Sequence, residues 1–204
     1  MGRFAVPVPG TGYDDVTRMC RMCARHRAQY AAGAMDPARL RSPANAAVLD
    51  YLYVEQLPQW RGSKSPWVVE GYSLATHPDL CERVEEINAA AGPHATFRYL
   101  YGRPALVADN GVVVAFATGT HIFCVRLPAS ECDPDLLARP ELLPPSPYLR
   151  QRRRELEALT AHEWTRLDPY TVNVPTAEGL ERLAAHVGRA VERSHARDDD
   201  HPLQ

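Results

Sequence analysis

The chain has 204 residues, enough for one sizeable domain with a core or for a domain with an extension. A net charge of -2 gives no global basic field toward nucleic acid or anionic lipid, and no stretch is apolar enough to span a bilayer. Residues 1–15 lack the apolar core of a secretory signal, so the expected setting is cytoplasmic. There Cys20, Cys23, Cys81, Cys124 and Cys132 read as free thiols, and their odd number argues against a disulfide framework.

Residues 1–12 read as an extended arm. A helix is expected over about 14–32, with Val16, Met19, Cys20, Cys23 and Tyr30 on one face. Ser42-Pro43 reads as an N-cap and first helical residue opening a helix to about Gln56, with Leu49, Leu52 and Tyr53 inward. Pro58 ends it. Residues 58–66 read as a loop and Trp67–Tyr72 as a short strand. Thr76-His77-Pro78-Asp79 opens a helix on which Leu80, Val84, Ile87 and Ala91 repeat at helical spacing, closed by Gly92-Pro93. From Ala95 to Leu127, apolar runs rich in Val, Phe and Tyr are parted by Gly102-Arg103-Pro104, Asp109-Asn110-Gly111 and Thr118-Gly119-Thr120. Asn-Gly between two such runs is a hairpin signal, so an antiparallel meander is expected. Residues 128–147 hold six prolines and read as a long surface excursion. A helix over Tyr148–Thr160, an extended stretch over Thr165–Val174 broken at Asp168-Pro169, and a helix from Thr176 with Leu180, Leu183, Ala184, Val187 and Val191 inward complete the chain. From Ser194 a polar, frayed tail is expected.

The fold class is therefore α+β: an antiparallel meander covered by two helices. A helical extension over residues 1–66 precedes a two-layer domain over 67–195, and 196–204 form the tail. The order of elements over 76–193 resembles the TfoX N-terminal domain and MmcQ/YjbR-like superfamily. The residues that carry the likeness are Tyr101-Gly102-Arg103-Pro104, Asp109-Asn110-Gly111, Val125-Arg126-Leu127 and Glu163-Trp164-Thr165-Arg166-Leu167. At the bend, Leu100-Tyr101-Gly102-Arg103 replaces that family's usual Met-Phe-Gly-Gly. The resemblance implies one sheet covered by two helices and an accessory role, with no shared catalytic residues.

Three sets of residues carry candidate chemistry. Arg98, Arg103 and Arg126 fall among aromatic and aliphatic residues of the meander, with Tyr99 and Tyr101 nearby and His121 at a turn. Charge there must be paired or face a groove, and guanidinium forks beside aromatic rings suit an anionic or aromatic ligand or a protein partner. A water-exposed face, or arginines paired with acids, is the plainer reading. Cys20, Cys23 and His26 have the spacing of zinc ligands but lie on an expected helix, where Cys81 or a distant histidine would have to complete the set; the cysteines read more plainly as packed core thiols, with a redox pair as a third reading. Arg150, Arg152, Arg153 and Arg154 suggest nucleic acid, but Glu155 and Glu157 dilute them toward a solvated helix face. His77, His94 and His121 near the ends of elements, together with a mid-strand Cys124 and Glu131, form a weaker cleft constellation, in which Cys124 reads more plainly as a packed residue. Lys64 is the sole lysine among 23 basic residues; a GC-rich coding background explains this plainly, and a need for forked anion contacts explains it more sharply. The functional expectation is a non-enzymatic binding protein, homodimeric or partnered, with a zinc protein or enzyme and a DNA-binding protein as alternatives.

Overall fold

A computed structural model describes residues 40, 42–54, 76, 78–100, 103–119, 121–138, 154–161 and 163–199. Helix α1 (Ala46–Val54) follows a 3-10 turn at Pro43–Asn45, and α2 (Pro78–Ala91) leads into the sheet. The strands are β1 (Ala95–Leu100), β2 (Arg103–Ala108), β3 (Val113–Thr118), β4 (Ile122–Val125) and, later in the chain, β5 (Thr165–Leu167). They lie in sequence order, every neighbouring pair antiparallel, so the expected meander is present and gains a fifth strand. A short helix, α3, spans residues 154–159, and α4 (Thr176–Asp199) ends the described chain.

The β2–β3 turn shows how local chemistry sets register. Ala108 N–H bonds the Val112 carbonyl at 2.9 Å, leaving a three-residue loop, Asp109-Asn110-Gly111. Gly111 stands at φ 82°, a conformation that L side chains avoid, and the Asn110 side chain accepts from Val112 N–H at 3.1 Å. One bulge follows: Leu106 pairs with Ala115 but Val107 with Val113, so Val114 is the extra residue.

Both faces of the sheet are covered. On one, α2 places Leu80, Val84 and Ile87 and α4 places Leu183, Val187, Ala190 and Val191 over Leu106, Val114, Ala115, Phe123 and Val125. On the other, Val48, Tyr51 and Leu52 of α1, with Leu156 and Trp164, cover Leu100, Ala105, Val107, Val113, Phe116 and Cys124. Phe116 is the centre of this second core, with ring centroids 5.6 Å from Tyr51 and 5.3 Å from Trp164. This explains why β2 and β3 read as continuous apolar runs. Their side chains meet protein on both sides, so no polar alternation is needed. The α+β class stands, with α1 and α3 adding a layer to the two helices expected over one sheet.

Several local expectations change. α2 begins at Pro78, within the expected start, while the Thr76 hydroxyl donates to the Ala117 carbonyl at 3.2 Å and its backbone bridges to Gly119, which ties the approach to α2 onto the sheet. Ser42 precedes a Pro-led turn, as expected, but makes no side-chain cap. Residues 128–138 are no free excursion. Two 3-10 turns, Ala129–Glu131 and Pro134–Leu136, bury Cys132 and Leu136, and Leu137 bridges to Leu167. The last helix continues past Ser194, which is buried and bonds the Val191 carbonyl at 2.7 Å. The expected helix at 14–32, the strand at 67–72 and residues 139–153 lie outside the described residues.

Asn45 fixes the second layer to the sheet. It is fully buried, and its amide donates to the Gly111 carbonyl at 2.9 Å while its side-chain oxygen accepts from Val113 N–H at 2.9 Å. One side chain thus completes two main-chain groups at the start of β3. Replacing it with alanine strands both in a dry interior, where each orphaned group costs about 1–3 kcal/mol. Asn45→Ala is expected to lower unfolding stability by about 2–4 kcal/mol, read as a lower urea midpoint with an unchanged slope.

Candidate functional site

The strand registers set Arg98, Ala105, Phe116, Cys124 and Arg166 in one line across the five strands, all facing the second core. Arg103, one row away, shares that face. It is 1% exposed; its Nε donates to Thr118 Oγ1 at 3.2 Å and its Nη1 to the Leu52 carbonyl at 2.7 Å. Leu52 lies in the last turn of α1, where a cation also meets the negative end of the helix dipole. Arg103 therefore joins α1 to the sheet. Arg98 is half-buried at the edge strand, and its Nη1 donates to the Phe97 carbonyl at 3.0 Å.

Arg126 lies just beyond β4 and is 7% exposed. Its Cζ stands 5.7 Å from the centroid of a Trp164 ring, and its Nη2 donates to Glu163 at 2.9 Å. Its Nη1 is buried and has no hydrogen-bond partner among the described residues.

Tyr99 corrects the expected arrangement. It alternates with Arg98 and lies on the opposite face, 3% exposed and edge-on to Phe97 with centroids 5.1 Å apart. A single surface carrying the three arginines and Tyr99 together is therefore not formed. His121 is half-buried in the turn before β4, His94 is exposed in the turn before β1, and Arg154 is exposed at the start of α3. Tyr101, His77, Arg150, Arg152 and Arg153 lie outside the described residues, as do Cys20, Cys23 and His26. Among the described residues no group of three or more His, Cys, Asp or Glu is placed to hold a metal ion.

A second concentration of chemistry was not singled out by the sequence reading. An open groove of about 570 Å³ runs between α4 and residues 130–133, lined by Arg182, His186 and Arg189 on one wall and Glu131, Cys132 and Asp133 on the other. His186 is 2% exposed. Its Nε2 accepts from Asp133 N–H at 2.9 Å, which leaves Nδ1 to carry the proton toward the Arg182 carbonyl at 2.6 Å. Burial is the main cause that holds His186 below the ordinary histidine range. Hydrogen bonding to Arg182 holds the Asp133 carboxyl below its usual range. The visible signal was the spacing: positions 182, 186, 189 and 193 form one stripe on a helix, and Glu131, Asp133 and Asp135 alternate in the segment it meets.

Cys124 tests the thiol chemistry of the sheet. Burial pushes its thiol up to about 12, against a smaller opposing pull from Arg166. At about pH 8 that leaves roughly one thiolate in ten thousand, too few for a nucleophile. In the folded protein, iodoacetamide at about pH 8 is expected to leave Cys124 unmodified, and unfolding in urea to expose it, as read by peptide mass mapping. In comparisons with known proteins, the chain matches no family model, no curated protein and no solved structure.

Proposed function

We propose that this protein acts by binding, holding a carboxylate- or phosphate-bearing ligand, free or carried by a partner, on the Arg126 guanidinium above Trp164. The observation that carries this reading is the Arg126 guanidinium: one side is committed to Glu163, and the other side holds a buried donor, Nη1, without an acceptor among the described residues. A buried donor is normally paired, and a guanidinium prefers to give two parallel bonds to one oxyanion. The Trp164 face beneath it supplies a flat apolar floor and favours retention of the cation. Arg103 supports the surface from inside, through α1, and Arg98 and Arg166 carry positive charge toward the two sheet edges. The resemblance to TfoX and YjbR-like proteins fits an accessory binding role of this kind.

Trp164 provides the test. With Trp60→Phe and Trp67→Phe in place it is the only tryptophan of the chain, and Arg126 stands directly over it. Titration with citrate and with inorganic phosphate is expected to change its emission saturably for at least one anion. Arg126→Gln is expected to weaken that affinity by about tenfold or more, equivalent to roughly 1.4 kcal/mol. An unchanged affinity in a folded Arg126→Gln variant, or no response to either anion, sinks the reading.

A further inference from the structure

His186 stands midway along α4, 2% exposed, with both ring nitrogens committed to main-chain groups. Nε2 accepts the Asp133 N–H at 2.9 Å, and Nδ1 meets the Arg182 carbonyl at 2.6 Å. A carbonyl only accepts and a peptide N–H only donates, so the two partners fix one tautomer, with the proton on Nδ1 and the lone pair on Nε2. A second proton has one place to go, Nε2, where it would face the Asp133 N–H donor to donor. The site as built admits only the neutral ring.

The turn that meets this ring lies between two anchors. On one side Cys132 is buried and its thiol is hydrogen-bonded to the Thr165 side chain. On the other, Leu136 is fully buried and Leu137 bridges to Leu167. The three residues between them, Asp133, Pro134 and Asp135, depend on α4. Arg182 pairs with the carboxylates of Asp133 and Asp135, but these pairs are partly solvated and such pairs hold weakly. The bond from the Asp133 N–H to His186 is the buried contact of the set, and a buried donor left without an acceptor is costly.

We propose that His186 is a proton-sensitive latch: neutral, it holds the Asp133 peptide against α4, and protonated, it releases residues 133–135 from the helix while Cys132 and Leu136 stay in the core.

The titratable and charged groups that face His186 are Arg182 and Arg189 from its own helix and Glu131, Cys132 and Asp133 from the segment packed on it. Burial opposes a charge on the ring most; the arginine charges oppose it too, and Asp133 favours it. The latched ring therefore binds a proton more weakly than a released one, which titrates near the ordinary value of about 6.5. The sign follows. The latch is fully held above about pH 6.5 and weakens as pH falls below it, through the lowered range of the latched ring. One proton is taken up on release, so each pH unit in that window raises the released fraction by about tenfold at most.

The experiment is amide hydrogen exchange of the full chain, read residue by residue by NMR at about pH 7.5 and about pH 5.5 and corrected for the intrinsic rate change. Carboxylates stay largely ionised at both values, so the comparison isolates histidine. Protection of the Asp133 amide is expected to fall about tenfold at the lower pH, while the amides of Leu183 and Val187 in α4 keep theirs. In His186→Gln, whose side-chain oxygen can accept the same N–H at either pH, Asp133 protection should not change. The proposal fails if wild-type protection is the same at both values, or if it falls equally in His186→Gln. It fails also if α4 and the sheet lose protection together with Asp133, which would be acid unfolding rather than a latch. Should the variant not fold, titration of the wild-type ring, followed at its Cε1 proton, decides. Protonation in step with the loss of Asp133 protection supports the latch; protonation with that amide still protected overturns it.

Discussion

A charge shut away from water must be satisfied by what encloses it, and among the described residues Arg103 is where that constraint is tightest. Its guanidinium lies between α1 and the sheet, 1% exposed, bonded to a helix-terminal carbonyl and to a threonine hydroxyl of β3. Removing the α1 carbonyl would strand one of these donors in a dry interior, so the charge ties α1 to the sheet. Asn45 enforces the same docking from the opposite end of the layer, by closing main-chain groups at the β2–β3 turn. The two contacts differ in kind, one ionic and one amide, and both are directional where the apolar packing between them is not. The Tyr51–Phe116–Trp164 cluster supplies area; the polar contacts choose the one orientation in which that area is buried.

Much of the fold was legible because strand runs, turn residues and helix stripes speak locally. Asp109-Asn110-Gly111 marked the hairpin, and Leu80, Val84 and Ile87 marked the inward face of α2. The covering of the second sheet face was not legible, since an uninterrupted run such as Val113–Ala117 states that a strand is dry on both sides without saying what dries it. Nor was the seating of 128–138. Its prolines remove periodicity, and its buried residues, Cys132 and Leu136, are only four apart in a segment with no helix or strand pattern.

The candidate sites divide along the same line. Strand alternation placed Arg126 with Ile122 and Cys124, on the side where Trp164 now lies. The grouping of Tyr99 with the arginines failed on the same alternation, because it followed nearness in sequence rather than parity. The α4 stripe was passed over for a different reason: a row of arginines on a long helix has the pattern of a solvated face, and only the partner segment, about fifty residues away in sequence, gives it another meaning. The shortage of lysine acquires a structural side as well. Arg103, Arg126 and Arg182 each meet two or more groups at once through a fixed fork, which a single rotating ammonium reproduces poorly.

The bulge in β3 has a reach beyond the ladder it interrupts. Because Val114 has no partner on β2, Val113 and Val114 send successive side chains into different cores while Val114 and Ala115 share one. Its carbonyl is turned instead to the N–H of Arg126 at 2.8 Å. Loss of this one residue would leave the β2–β3 pairing regular and every other side chain on its present face, yet it would take away the carbonyl that now holds the Arg126 main chain beside β3.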